Sequence, residues 1–326
     1  MIIIRAPFRI SLFGGGTDFK WYYSEKNTRV VSFSINKYCY VTIRQVHPYF
    51  GFKYRACWSM IEESTDLKGI THPSIRACIH ESGIRDGLEI HTVGDLPARS
   101  GLGSSSAFTA SMIKGLCEYL DKEISSSELI RETIRIEQEV LKEKVGIQDQ
   151  IAVCQGGFGI TRINNDSSFS TIYLDNNEPI VDMIDKQLIL VYSGITRISS
   201  EVQMSRMKSR LQLVKRLDRL REIAFIFSDA VLNGTATFDL MTTLMTSSWK
   251  EKRKTLENTP HLDVMDAIYE LAIRSGASCG KLLGAGGGGF FAFFVPETEQ
   301  ESFTKKMQDY VCIKANICYR GVERIR

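Results

Sequence analysis

"GDLPARSGLGSSSAFTAS", residues 94–111, decides how the rest of the chain is read. A proline leads into alternating glycines, three serines follow, and a run at helical spacing comes next. Across 104–120, Phe108, Met112, Leu116 and Leu120 recur on one apolar helical face. That spacing puts Ser104, Ser105 and Ser106 in the first turn, where backbone N–H groups lack internal partners and serine is a favoured cap. The macrodipole adds about half a positive charge at this end. Gly101 and Gly103, just upstream, let the backbone approach a bulky anion closely. Two readings follow: an anion cradle, most naturally for phosphate, or a well-capped structural helix with a flexible entry loop. A Walker A loop is excluded, because no lysine follows the glycines of this stretch before Lys114. A dinucleotide fingerprint is excluded too, because "GLGSSS" lacks the third glycine.

The next helix, read over 126–142, opens with the capping box "SSSE". At 100° steps, Leu129, Ile130, Ile134, Ile136, Val140 and Leu141 share one arc, and Glu137 is the only charge among them. An inward carboxylate is costly unless it meets a cation or hydrogen-bond donors. It either pairs with an inward Arg or Lys, or it holds a metal; Mg²⁺ takes one or two carboxylates plus substrate phosphate oxygens. Further on, "VGIQDQIAV" starts a new helical turn carrying Asp149, which alone would be an ordinary cap or solvated acid.

Around these stretches the chain is ordinary. Its 326 residues suffice for one large domain or two, with 43% apolar and 24% charged residues. A net charge of +3 calls for neither a nucleic-acid nor a membrane partner. The eight cysteines form no C-x-x-C pair and the five histidines lie outside every motif, which speaks against zinc and disulfides and for a cytoplasmic protein. "MIIIRAPFRISLF" lacks a signal-peptide core, and "FFAFFV" at 290–295 is too short to span a bilayer. The pattern predicts an opening strand bent at Pro7, a strand pair over "TRVVSFSINKYCYVTIRQV", and a strand at 88–93. Helices follow over 104–155, then "GGFGITRI", "FSTIYL" and "QLILVYS" as strands. Later come helices near 199–235, 261–275 and 297–310, the strand "GFFAFFV" and a final strand "VCIKANICYR". Strands and helices mix without βαβ alternation, so the class is α+β, with a boundary in the 180–200 region.

Three motifs, in order, resemble the GHMP kinase superfamily: "RAPFRISLFGGGTDF" (5–19), "LPARSGLGSSSAF" (96–108) and "KLLGAGGGGFF" (281–291). Within it, they most resemble the heptose kinases, which phosphorylate the anomeric hydroxyl of D-glycero-D-manno-heptose 7-phosphate; the L-fucose kinases are a near group. The resemblance implies a two-domain fold, 1–185 being ribosomal-protein-S5-like and ATP-binding and 186–326 ferredoxin-like, with the active site in the cleft between them. It implies ATP and Mg²⁺ as cofactors, the ATP phosphates lying on Gly101, Leu102, Gly103, Ser104, Ser105 and Ser106. Ser105 and Glu137 would be the metal ligands, Asp149 the catalytic base, and Arg9 the group that steadies the transferring phosphoryl. Gly15, Gly16, Thr17 and Asp18, with Gly286, Gly287 and Gly288 of the third motif, would contact the sugar phosphate acceptor. Galactokinases carry Glu-His where this chain has Gly15 and Gly16, which disfavours galactose. Arg99, Lys37 and Arg197 are candidates for a substrate phosphate. L-fucose or another acceptor, a non-catalytic sugar and ATP sensor, and a homodimer remain open. "GAGGGG" at 284–289 satisfies G-x-G-x-x-G by letter only, since a strand pattern follows where a dinucleotide site needs a helix.

Overall fold

The computed structural model describes residues 1–195, 210–254, 261–284 and 288–326. Two sheets organise it. The first runs from β1 (Ile2–Phe13) and β2 (Thr28–Val46) through β3 (Tyr54–Cys57), β4 (Ile61–Ser64) and β5 (Gly87–Gly94) to β6 (Phe158–Ile163) and β7 (Phe169–Leu174). Its order is β12-β1-β2-β5-β3-β4, with β6 on β2 and β7 on β6; β12 (Glu323–Arg324) brings the chain's end back beside β1. The expected strand pair over 28–46 is one strand of 19 residues. Asn36 and Lys37 look like a turn, but they are absorbed where the β1 register shifts between Pro7 and Phe8. The strand stays continuous because β6 pairs with its first half and β5 with its second.

The second sheet holds β8 (Leu188–Tyr192), β9 (Cys279–Leu282), β10 (Phe290–Phe294) and β11 (Cys312–Lys314), in the all-antiparallel order β11-β8-β10-β9. With helices between β8 and β9 and between β10 and β11, this is the ferredoxin-like β-α-β-β-α-β arrangement. The run "FFAFF" of β10 is wholly buried because both of its faces are covered. Phe290, Ala292 and Phe294 join the main core, and Phe291 and Phe293 join a second core around Trp249. Each such ring contributes about 1.5–3 kcal/mol of burial. The expected strand over "VCIKANICYR" is strand only at Cys312–Lys314.

Among the helices, α1 (Lys20–Tyr23) and α2 (Pro73–Ser82) precede α3 (Ser104–Tyr119), which packs across β1 and β2. Next is α4 (Ser126–Arg135), entered through the expected capping box of Ser125 and Glu128. The helix expected to run to 142 changes character after Arg135: Ile136–Val140 form a π turn, with Leu141 N–H donating to Ile136 O at 2.9 Å. Such wider turns re-aim side chains and are frequent at functional sites. Then come α5 (Gln148–Gln155), α6 (Pro179–Gln187), α7 (Arg210–Leu232), α8 (Phe238–Arg253), α9 (Leu262–Ser275) and α10 (Gln300–Lys306). The expected helix near 297–310 is a 3-10 turn, Glu297–Glu299, leading into α10. Of the long helix expected from 199, residues 199–209 lie outside the described residues.

Candidate active site

The loop between β5 and α3 is fixed from two sides. From β1, Arg9 N–H donates to Leu102 O (2.9 Å) and its guanidinium to Gly101 O (2.7 Å). From the start of β10, Phe290 N–H donates to Ser100 O at 3.2 Å. The helix start departs from the serine-capped expectation. Gly103 occupies the cap position with φ +74°, and no side chain caps α3. A left-handed cap suits glycine, and a Cβ there would lie 2.9 Å from Arg9 Cγ. The serines are turned to other tasks. Ser104 Oγ accepts from Arg99 N–H (3.2 Å), Ser106 Oγ donates to Glu137 Oε2 (3.0 Å), and Ser105 is exposed. The first-turn amides of α3 are thus not closed by a side-chain cap, and a helix start left open in this way can take an anion.

Glu137 sits behind this turn, 1% exposed. Gln150 Nε2 and Ser106 Oγ donate to its Oε2, while Oε1 is buried with no hydrogen-bond partner. Among the described residues no Arg or Lys pairs with it. Burial above all, with the charges of Glu143 and Asp149, pushes its carboxyl up to about 8 against the two donated hydrogen bonds. No group of three or more His, Cys, Asp or Glu that could cage a metal exists among the described residues. One orphaned carboxylate oxygen beside a hydroxyl-bearing helix start fits Mg²⁺, which keeps waters and substrate phosphates in its shell, rather than an ion needing an all-protein cage.

Across the loop, Arg9 and Asp149 form a two-armed ion pair, Nε to Oδ1 at 2.7 Å and NH2 to Oδ2 at 2.5 Å. Arg9 is 4% exposed, so the planar fork holds Asp149 in one orientation. The glycine turn after β1 brings in Asp18, 1% exposed, whose oxygens accept from Gly16 N–H (2.9 Å), Gln148 N–H (3.1 Å) and Gln148 Nε2 (3.3 Å). Burial first, then the Asp149 charge, raises its carboxyl to about 6, opposed by the backbone donors. Lys281 of β9 donates to Leu12 O at 2.9 Å, and burial, with Arg9 nearby, pushes it down to about 7.

These groups open on one cavity of about 320 Å³. Of the residues expected in the site, Arg9, Gly15, Gly16, Asp18, Gly101, Gly103, Ser104, Ser105, Ser106 and Asp149 line it. Leu102 is fully buried and Glu137 lies behind Ser106. Thr17 does not reach the cavity: it is fully buried and closes the turn, donating to Gly14 O at 2.7 Å. Gly288 is outside the lining, and Gly286 and Gly287 lie outside the described residues, although Gly284 and Gly289 on either side press on Gly101 and Ser100. Arg99 is in the lining, Lys37 is not, and Arg197 lies outside the described residues. The sequence reading missed Gln148, Lys281, Lys252 of α8, and Trp21 and Arg216, all of which line the cavity. None of the five histidines does. All eight cysteines are free. No helix among the described residues is long and apolar enough to cross a membrane.

Residues 70–157 match the family described as GHMP kinases N terminal domain. The chain is 30% identical over 322 residues to the D-glycero-alpha-D-manno-heptose 7-phosphate kinase of Campylobacter jejuni, covering 94% of both. It superposes with a TM-score of 0.78 and 20% identity on the crystal structure of a D-glycero-D-manno-heptose 1-phosphate kinase from Bacteroides thetaiotaomicron, over 100% of this chain and 99% of that one. With galactose-bound Lactococcus lactis galactokinase the TM-score is 0.73 at 16% identity, over 99% and 94%. At those identities the two structures speak for the fold, while the Campylobacter relative speaks for the family. The cradle, the orphaned acid and the near-full-length likeness agree: this chain belongs to the GHMP kinase family and is one of its ATP-dependent kinases.

Proposed function

We propose that this kinase transfers the γ-phosphoryl of ATP, with Mg²⁺, to the anomeric C1 hydroxyl of D-glycero-D-manno-heptose 7-phosphate, forming the 1,7-bisphosphate. The observation that carries the reading is the convergence, on one cavity, of an uncapped helix start and an Arg9–Asp149 pair, with an unpaired Glu137 oxygen just behind Ser106. The likeness to the Campylobacter relative, which covers 94% of the chain, supports this acceptor. In this reading residues 1–185 form the nucleotide part and 186–326 the second part, in keeping with β8 opening the second sheet at Leu188.

Phosphoryl transfer demands positioning and charge stabilisation more than covalent chemistry. The first-turn amides of α3 and the loop from Gly101 hold the phosphates by donating into their oxygens. Ser105 and Glu137 would hold Mg²⁺, which offsets charge on the β- and γ-phosphates when bound. Asp149 accepts the hydrogen bond of the C1 hydroxyl and takes its proton as the new P–O bond forms and the bond from the γ-phosphorus to the β,γ-bridging oxygen breaks, ADP leaving. An aspartate is a weak base, so its contribution is mainly geometric, and Arg9 supplies that geometry. Asp18 accepts from the remaining sugar hydroxyls, with its own orientation set by the Gly16 and Gln148 amides.

A coupled ADP-release assay tests this over heptose 7-phosphate, dephosphorylated heptose, mannose 6-phosphate, L-fucose, galactose and mevalonate. Heptose 7-phosphate is expected to give the highest kcat/KM. Turnover confined to galactose or mevalonate would refute the acceptor, and no turnover with any sugar would favour a sensor.

A further inference from the structure

The cavity is unevenly charged. Six basic residues line it (Arg9, Arg99, Lys144, Arg216, Lys252 and Lys281) against the acids Asp18 and Asp149. Most of these cations are already engaged or hydrated. Arg9 is held by Asp149, Lys252 donates to Leu282 O (2.6 Å), Lys281 donates to Leu12 O, and Arg99 and Lys144 are exposed. Arg216 differs. Its Nε is buried and makes no hydrogen bond, and no ion pair involves it among the described residues. The nearest acid to bear on it, Glu251, is taken by Arg219 (2.8 Å) and Lys254 (2.7 Å).

Its place on α7 is as odd as that of Glu137 on its own helix. Leu213, Leu217, Leu220 and Ala224 form the inward stripe of α7, and Arg216 falls within it rather than on the solvated face. Burial pushes the guanidinium down to about 10, against the opposing charge of Glu251, so the fold holds a cation partly out of water with no acid hydrogen-bonded to it among the described residues. That is costly unless an anion completes it. The adjacent Leu217 lies against the glycine turn: its Cδ2 is 3.3 Å from where a Gly16 Cβ would stand. Arg216 shares the cavity lining with that turn and with Asp18.

We propose that Arg216 is the residue that recognises a phosphate monoester carried by the acceptor sugar, remote from the hydroxyl that is phosphorylated. This rests on reading the cavity as a phosphotransfer site. A guanidinium offers two parallel donors to phosphate oxygens, and the leucines beside it exclude water from the pair. A neutral sugar would leave this cation unpaired, so the cavity favours a phosphorylated acceptor over its dephosphorylated form.

The test is calorimetric titration of wild type, Arg216→Gln and Arg216→Lys with heptose 7-phosphate and with dephosphorylated heptose, ATP binding serving as the check on folding. The ratio of the two dissociation constants is the readout. We expect it to fall by about 10–100-fold in Arg216→Gln, the scale of a hydrogen bond to a charged group. Arg216→Lys should keep part of the preference, since it restores the charge but not the fork. An unchanged ratio, or both constants moving together, would overturn the proposal. Weaker ATP binding with the ratio intact would overturn it also, by assigning Arg216 to the nucleotide. If wild type fails to phosphorylate heptose 7-phosphate, the acceptor assignment falls by itself. The same ratio is then read on mannose 6-phosphate against mannose, where the absence of an Arg216-dependent preference would overturn the proposal.

Discussion

Part of the cavity lining comes from one short loop, Gly101, Gly103 and Ser104 to Ser106, at the start of α3. Asp18, Arg216 and Lys281 reach the same lining from β1's turn, from α7 and from β9, and share one cavity only because two sheets close on one another. The loop and its helix could be located from spacing alone. The second part required the tertiary structure. Yet each part is backed by an ionisable group set into an apolar helix stripe with an unpaired buried atom: Glu137 Oε1 behind Ser106, and Arg216 Nε on α7. One has no paired cation and the other no paired anion among the described residues, so the two parts call for opposite partners.

The comparison breaks first at Asp149. Asp149→Ala should lower turnover by about 10²–10⁴-fold while ATP still binds; turnover near wild type would remove Asp149 from the chemistry. Next comes Glu137→Gln, where a loss of about 10²–10³-fold in kcat is expected. Without nucleotide its melting temperature should hold or rise, because an uncompensated buried carboxyl has been replaced by a neutral amide of the same shape. A large drop in melting temperature would mark Glu137 as structural instead. Gly103→Ala sharpens the link between the loop and Arg9, since the added methyl meets Arg9 Cγ at 2.9 Å. Strain at φ +74° should cost about 1–3 kcal/mol, and a displaced Arg9 should lower turnover by up to about 100-fold. Wild-type kinetics in that variant would show that loop and Arg9 are independent.

The smallest effect concerns pH. Asp18 holds its proton in the folded state up to about 6 rather than 3.8. Between those values the native state binds a proton that the unfolded chain has lost, so stability falls as pH rises from about 4 to 6. Asp18→Asn should lack that fall, so wild type should lose melting temperature relative to the variant across this window. Parallel melting curves against pH would contradict the burial of an ionisable Asp18.

What the sequence disclosed follows the range of the interactions. The capping box at Ser125 and the inward position of Glu137 are local, and both are read from a few residues. The serine caps expected on α3 failed locally too, because Gly103 could take the left-handed cap position and free the serines for Arg99 and Glu137. The strand pair over 28–46 failed for a longer-range reason: Asn36 and Lys37 are polar enough for a turn, but the bulge opposite Pro7 keeps both neighbours paired. Arg216 lies between. Its position among Leu213, Leu217 and Leu220 was legible by the test applied to Glu137, but its meaning depends on the glycine turn packed against that stripe. Lys281 sat in plain view at the head of the third motif, and only the fully buried β9 shows that its ammonium points inward.

The most direct measurement of the central claim is calorimetric titration of ATP, with and without Mg²⁺, into wild type and Glu137→Gln. If the α3 start and Glu137 form one phosphate and metal site, Mg²⁺ should strengthen ATP binding in wild type and not in the variant, whose Mg²⁺-free affinity should be equal or greater. An equal Mg²⁺ enhancement in both proteins would contradict the account.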